Sequence, residues 1–307
     1  MTYLLLFIFF FAMQNFAHAQ QLVMEGEATA KYESRKYKTA GIPDPEFMER
    51  TLRLTVRSPL SAQTSLFLRL GHQSYSGKPI DPDRTAIDQY GFTWKSATPT
   101  ITIGSQETYL GAYGAMFDNS SNLGEGMFRG IDIRGTSGSD RYHLVSGRLD
   151  SRLFADAQAR SFYGAEWAHY VGDTRLLASY LHMPNLPKEA DNFLGFSINL
   201  PAGKGEWLAE FVHSSASTAN QALLVGVNYQ PTNYQALKLV VGRLADNSVP
   251  EGNSTLGGYD NGIRGFQFTA IQALNLTNRI ALKYTHAETI TSNIPIRKTE
   301  LEYTHLF

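Results

Sequence analysis

Thr51-Leu52-Arg53-Leu54-Thr55-Val56-Arg57 decides the fold. Leu52, Leu54 and Val56 alternate with Thr51, Arg53, Thr55 and Arg57. That period of two belongs to a strand with one apolar face and one polar, charged face. Working towards the N-terminus, Met24, Gly26, Ala28, Ala30 and Tyr32 alternate in the same way with Glu25, Glu27, Thr29 and Lys31. Towards the C-terminus, Leu66, Leu68 and Leu70 flank Arg69, Tyr90, Phe92 and Trp94 oppose Gln89 and Thr93, and Ile131 and Ile133 oppose Asp132 and Arg134. The pattern returns at Leu194 to Leu200, Trp207 to Phe211, Leu223 to Tyr229 and Ile280 to Tyr284, and in the last residues, where Leu301, Tyr303, His305 and Phe307 oppose Glu300, Glu302 and Thr304. Stretches near 142–149, 162–171 and 175–183 alternate less cleanly, and no comparable stretch has helical periodicity with caps.

Counted along the chain, these segments predict about sixteen strands of about 8 to 11 residues, the length that crosses a bilayer when tilted. Short connections at 58–63, 96–99, 136–139, 172–173, 201–204, 231–233 and 275–278 carry the Gly, Pro, Asn, Asp and Ser of tight turns. Longer ones at 33–48, 75–86, 107–127, 150–160, 184–192, 214–220, 246–261 and 288–296 lie between them. This alternation predicts an all-β, transmembrane, antiparallel up-and-down β-barrel with short turns at one end and longer loops at the other. A soluble sandwich would bury the Arg, Lys and Glu of the polar face without partners, at several kcal/mol each. A water-filled interior follows, since about sixteen strands leave a channel that eight would not. Tyr90, Trp94, Tyr163, Trp167, Tyr180, Tyr229, Tyr284 and Tyr303 fall near strand ends, where interfacial aromatic girdles belong.

The chain has 307 residues, 27 Lys plus Arg against 28 Asp plus Glu, and no Cys. The charge balance leaves no basic footprint for nucleic acid. The missing thiols exclude disulfide frameworks, thiolate zinc sites and cysteine nucleophiles. Leu4 to Phe11 is an apolar run followed by Ala17-His18-Ala19, which predicts a signal peptide over 1–19, cleaved before Gln20. Residues 20–307 then form the barrel domain.

Two segments carry a family resemblance: the final Leu301-Glu302-Tyr303-Thr304-His305-Leu306-Phe307, ending in Phe, and Ile101-Thr102-Ile103-Gly104-Ser105-Gln106. Together with the leader and the strand pattern, they resemble a Gram-negative outer-membrane porin of the general diffusion type. The resemblance implies that Tyr303 and Phe307 belong to the signal read by the barrel-assembly machinery, and that the protein is a homotrimer in outer-membrane lipid. It also implies that the third long connection, 107–127, folds into the lumen, with acidic groups facing a basic wall. Asp118 and Glu125 are the acidic candidates; by parity Lys31, Arg53, Arg57, Arg69 and Arg134 are the basic ones. Opposed charges across a narrow polar passage would select small hydrophilic solutes and ions by size and charge.

Other functions leave weaker traces. A substrate-specific oligosaccharide channel would stack sugars on Phe67, Tyr109 and Tyr113. A non-conducting barrel would act as receptor, adhesin or lipid-acting enzyme, and His213-Ser214-Ser215 is the nearest catalytic set, without a Gly-x-Ser-x-Gly context or an orienting carboxylate. The seven His residues beyond the leader are scattered without ligand spacing, so no metal or other cofactor is expected. Asp81-Pro82-Asp83 and Gly257-Gly258-Tyr259-Asp260-Asn261 read as plain polar loops, since calcium-ligand spacing does not repeat.

Overall fold

A computed structural model of the protein describes residues 22–37, 44–78, 82–112, 116–119, 123, 127–150, 158–186, 190–250, 256 and 261–307. The predicted leader over 1–19 and Glu125 lie outside these residues. The strands are β1 (Val23–Tyr37), β2 (Glu46–Pro59), β3 (Thr64–Lys78), β4 (Arg84–Lys95), β5 (Thr100–Gln106), β6 (Tyr109–Leu110), β7 (Phe117–Asp118), β8 (Phe128–Ser137), β9 (Asp140–Leu149), β10 (Arg160–Val171), β11 (Thr174–His182), β12 (Asn192–Ala202), β13 (Gly205–Ser214), β14 (Gln221–Thr232), β15 (Gln235–Leu244), β16 (Ile263–Ala273), β17 (Asn278–Thr289) and β18 (Pro295–Leu306). All but β6 and β7 join in sequence order into one closed antiparallel barrel, with β18 pairing back onto β1. The barrel therefore has sixteen strands, as the alternation predicts. Among the described residues, no helix is long and apolar enough to cross a membrane.

Parity sets which side chains face out. Leu52, Trp167, Phe196 and Trp207 are 49%, 49%, 58% and 54% exposed, and Tyr163, Tyr180, Tyr229 and Tyr303 are exposed with them. An apolar outer surface of this extent is stable only against another apolar phase. Tight turns close one end; Gly172, between β10 and β11, has φ 59°, the left-handed region in which glycine carries no Cβ penalty. At the same end the chain closes on itself. Gly26 and Phe307 exchange backbone hydrogen bonds of 2.7 and 3.0 Å, and the Phe307 ring lies where any Cβ on residue 26 would stand, 2.1 Å away.

The interior divides into two sectors. Around β17, β18 and β1 to β5 the inward positions are mainly charged or polar, as predicted, with Phe47, Phe67, Ala281, Ala287 and Ile296 as buried apolar exceptions. Along β8 to β16 the inward positions nearest the long connections are apolar and packed. Phe128, Leu149, Phe162, Leu181, Phe193, Val212, Leu224 and Leu244 form one buried cluster there, together with Val249 and Leu256 from the connection between β15 and β16. A wholly water-filled interior is thus corrected at the long-connection end of β8 to β16, where apolar side chains pack into it. The unclear alternation of β9 to β11 has the same cause: Leu144 faces out while Val145 and Leu149 face in, so both faces are apolar and the period of two fades.

Candidate functional site

The third long connection leaves β5, and its described residues, 107–112, 116–119, 123 and 127, include side chains seated on inward positions of the barrel wall. Its described part forms the β6 and β7 hairpin, in which Leu110 faces Phe117. The Thr108 N–H donates to Asn119 Oδ1 at 2.8 Å, closing the hairpin base. Leu110 seats on Gly164 of β10, Met116 on Gly195 of β12, and Leu123 on Gly71 of β3. The Phe117 and Phe162 ring centroids are 4.8 Å apart, and those of Phe128 and Phe162 are 5.5 Å apart. Polar tethers join these contacts: the Gly111 N–H donates to Glu166 Oε2 at 2.9 Å, and Arg84 Nη1 donates to the Leu123 carbonyl at 3.3 Å. The loop therefore touches opposite walls, β3 on one side and β10 to β12 on the other.

The basic candidates are held mainly by carboxylates of the wall itself. Arg53 Nη1 donates to Glu27 Oε1 at 3.0 Å, and Lys31 Nζ is 2.7 Å from Glu49 Oε2. Arg57 lies 3.7 Å from Glu25 and over the Phe67 ring at 5.9 Å. Arg134 forks onto Asp132, which also bonds His143 Nε2 at 2.8 Å. Two of the five reach the loop. The Arg134 guanidinium sits 5.2 Å from the centroid of Tyr109. Arg69 donates Nε and Nη2 to Asp88 at 2.9 and 2.8 Å, and Nη2 again to Glu107 Oε1 at 2.7 Å. Asp88 can join because the register shifts there, Arg69 opposing Gln89 while Leu70 opposes Ile87.

Glu107 is thus a loop carboxylate that meets the basic wall, and sequence reasoning did not single it out. Burial pushes its carboxyl above the usual range, against the opposing pull of Arg69 and Arg53. Asp118 instead lies in the electrostatic neighbourhood of Lys238 on β15, beside Glu206 and Glu210. The remaining candidates separate. Ser214 Oγ donates to the Asn247 carbonyl at 2.6 Å and Ser215 Oγ accepts from the Asp191 and Asn192 N–H groups, while His213 is exposed on the other face of β13. Asp83 caps the Tyr75 N–H, Asn261 bonds the Val249 backbone, and 257–260 and Tyr113 lie outside the described residues. Among the described residues, no group of three or more His, Asp or Glu could hold a metal ion.

No protein-family model matches the chain, and no curated protein does. The fold, however, is that of porins. A substituted variant of the Rhodopseudomonas blastica porin superposes with a TM-score of 0.61 at 10% identity, covering 92% of this chain and all 100% of that one. A second variant of that porin gives 0.60 at 11% identity over the same 92% and 100%. A structure described as "Asymmetric conductivity of engineered proteins" gives 0.60 at 12% identity, again over 92% and 100%.

Proposed function

We propose that the protein is a Gram-negative outer-membrane channel for passive diffusion of ions and small hydrophilic solutes. It is exported with a cleaved leader over 1–19, inserted by the barrel-assembly machinery through Tyr303 and Phe307, and works as a homotrimer without chemistry. The observation that carries this reading is the β6–β7 hairpin and Leu123 of the third long connection, lodged inside a barrel with an apolar exterior, beside a sector of paired charges. Such a passage is polar, narrow and low in dielectric, so it passes water-soluble solutes and rejects apolar ones. Asp118 and Glu125 are the acidic groups of the loop, joined by Glu107 through its bond to Arg69; Arg53, Arg69 and Arg134 form the basic wall, with Lys31 and Arg57 towards the two mouths.

Two outward features support the membrane setting. Arg129 opposes Arg148, and Arg243 opposes Arg264, on exterior strand faces beside the long connections. Arg129 is paired with Asp150 at 2.9 Å and Arg264 with Glu288 at 2.6 Å, while Arg148 and Arg243 carry no ion pair among the described residues and are placed to meet anionic headgroups. On β2 and β3, Arg50 and Ser74 are paired in register and face outward beside Ala28, Ala30 and Leu52. Polar groups on that side are costly against lipid, which favours a second protomer there.

Single-channel recording of the refolded protein in a planar bilayer tests the reading, with stable steps of about a nanosiemens in molar salt expected of a wide pore. A folded but silent barrel would overturn it. The apolar packing along β8 to β16 favours one alternative, a non-conducting receptor or adhesin, and the silent outcome would select it. An oligosaccharide channel fits less well, because Phe67 is buried under Arg57 and against Gly91.

A further inference from the structure

Between the turn-end rim and the β6 hairpin lies a cavity of about 420 Å³, lined by Tyr109, Arg134, Arg141, Glu166, Tyr170 and Arg175 among others. The backbone of 96–100, the turn from β4 to β5, borders it, so it opens at the turn end, below the loop that narrows the barrel. Its charge is uneven. Arg134 is neutralised by the fork onto Asp132. Arg141 stacks on Tyr170, 4.8 Å from the ring centroid, and has no carboxylate within ion-pair distance among the described residues. Arg175 has a buried Nε with no hydrogen-bond partner. Among the described residues the one carboxylate that lines the cavity, Glu166, commits Oε2 to the Gly111 N–H and the Ser179 hydroxyl. Two guanidinium groups therefore face one carboxylate that is already engaged.

We propose that this cavity is a binding site for small organic oxyanions, such as a phosphate or carboxylate carried on a hydroxyl-bearing body, with Arg141 and Arg175 as its specificity-determining residues. Guanidinium forks match planar or tetrahedral oxyanions through paired, charge-assisted hydrogen bonds, and stacking on Tyr170 holds the Arg141 plane in place before the ligand arrives. Arg175, like Arg141, has no carboxylate within ion-pair distance among the described residues, so its guanidinium lacks a counter-charge until an oxyanion binds. The volume is within the range of small-molecule pockets, about 300–1,000 Å³, and exceeds what one inorganic anion fills. Oε1 of Glu166 is left to accept from a ligand hydroxyl, and the exposed Tyr109 ring closes the cavity from above. The site would concentrate anionic metabolites just below the narrowest part of the passage, so in this respect the inference rests on the channel reading.

The test is block of the single-channel current by glucose 6-phosphate, compared with glucose and with inorganic phosphate. The expected result is a saturable block by glucose 6-phosphate, with faster onset when it is added at the turn end. Glucose should not block, and phosphate should block at higher concentration. Arg175→Gln and Arg141→Gln should each raise the half-blocking concentration about tenfold, the loss expected when a charge-assisted hydrogen bond is removed. Arg175→Lys should retain part of the block. No block, equal block by glucose or by phosphate, or unchanged block in both Gln variants would overturn the site. If the refolded barrel does not conduct, the channel reading fails by itself. Calorimetric titration of the folded protein in detergent with glucose 6-phosphate then decides the site: heat that disappears in Arg175→Gln supports it, and no heat with the unsubstituted protein overturns it.

Discussion

Glu107→Gln isolates the loop carboxylate from the rest of the site. Arg69 keeps both bonds to Asp88, so the substitution removes one negative charge without leaving the guanidinium unpaired. An ion passing about 5 Å from that carboxylate exchanges about 0.8 kcal/mol with it in a water-like dielectric. Screening in 0.1 M salt, with a Debye length of about 10 Å, cuts this to about 0.5 kcal/mol. Cations lose that attraction and anions lose the same repulsion, so the cation-to-anion permeability ratio should fall about fivefold. Burial raises the Glu107 carboxyl above the usual range, and that fixes the direction with pH. A raised acid takes up its proton earlier as pH falls, so the unsubstituted channel should lose cation preference while the pH is still above the ordinary carboxylate value of about 4.3. Glu107→Gln should show no such step there. Reversal potentials in a salt gradient from about pH 8 to pH 4 measure both effects. Equal reversal potentials for the two proteins at pH 8 would show that Glu107 does not border the ion path, and the constriction assignment would fall with it.

Replacing Arg53 and Arg69 with Gln should move selectivity towards cations by a factor of a few, read in the same salt gradient. Phe162→Ala removes the ring between Phe117 and Phe128 and should destabilise the barrel by about 3–5 kcal/mol, measured as a lower unfolding midpoint in denaturant. Gly164→Val places a Cβ 2.6 Å from Leu110 and should lift the hairpin off β10, changing conductance while the strand signal in circular dichroism stays constant. Gly26→Val drives a side chain into the Phe307 ring and should slow closure of β18 onto β1, seen as delayed appearance of the folded band on unheated gels.

The strand count was legible because alternation on the lipid-facing side holds in most strands, from Leu52, Leu54 and Val56 to Leu301 and Tyr303. It failed where the inward positions are also apolar, so a strand such as β10, with Phe162 in and Tyr163 out, reads as a mixed run. The charged residues of the site were legible as inward-facing, and their partners were not. Glu27 opposes Arg53 and Lys31 opposes Glu49 in the register of β1 on β2, which makes these basic groups halves of cross-strand pairs. Only the closed register reveals this, because the connection between the strands hides which residues meet. Glu107 went unnoticed for a related reason: it immediately follows Gln106, the last residue of β5, and only the loop's inward turn brings it to Arg69.

The position of the loop has a trace in the strands, in glycine. A glycine inside a strand costs order and contributes no packing, so it needs a local reason. Gly71, Gly164 and Gly195 sit at inward positions on β3, β10 and β12, and each receives one loop side chain, Leu123, Leu110 and Met116 respectively. On each of these strands the missing Cβ is the space that the incoming side chain fills, and a methyl group there would stand 2.1, 2.6 and 2.7 Å from it. These three contacts are far apart in sequence and on opposite walls, so together they fix the height at which the connection crosses. The inward placement of Leu110, Met116 and Leu123 is therefore written into the barrel wall as well as into the loop, and lengthening the side chain at any of the three glycines tests the loop's position without altering a charge.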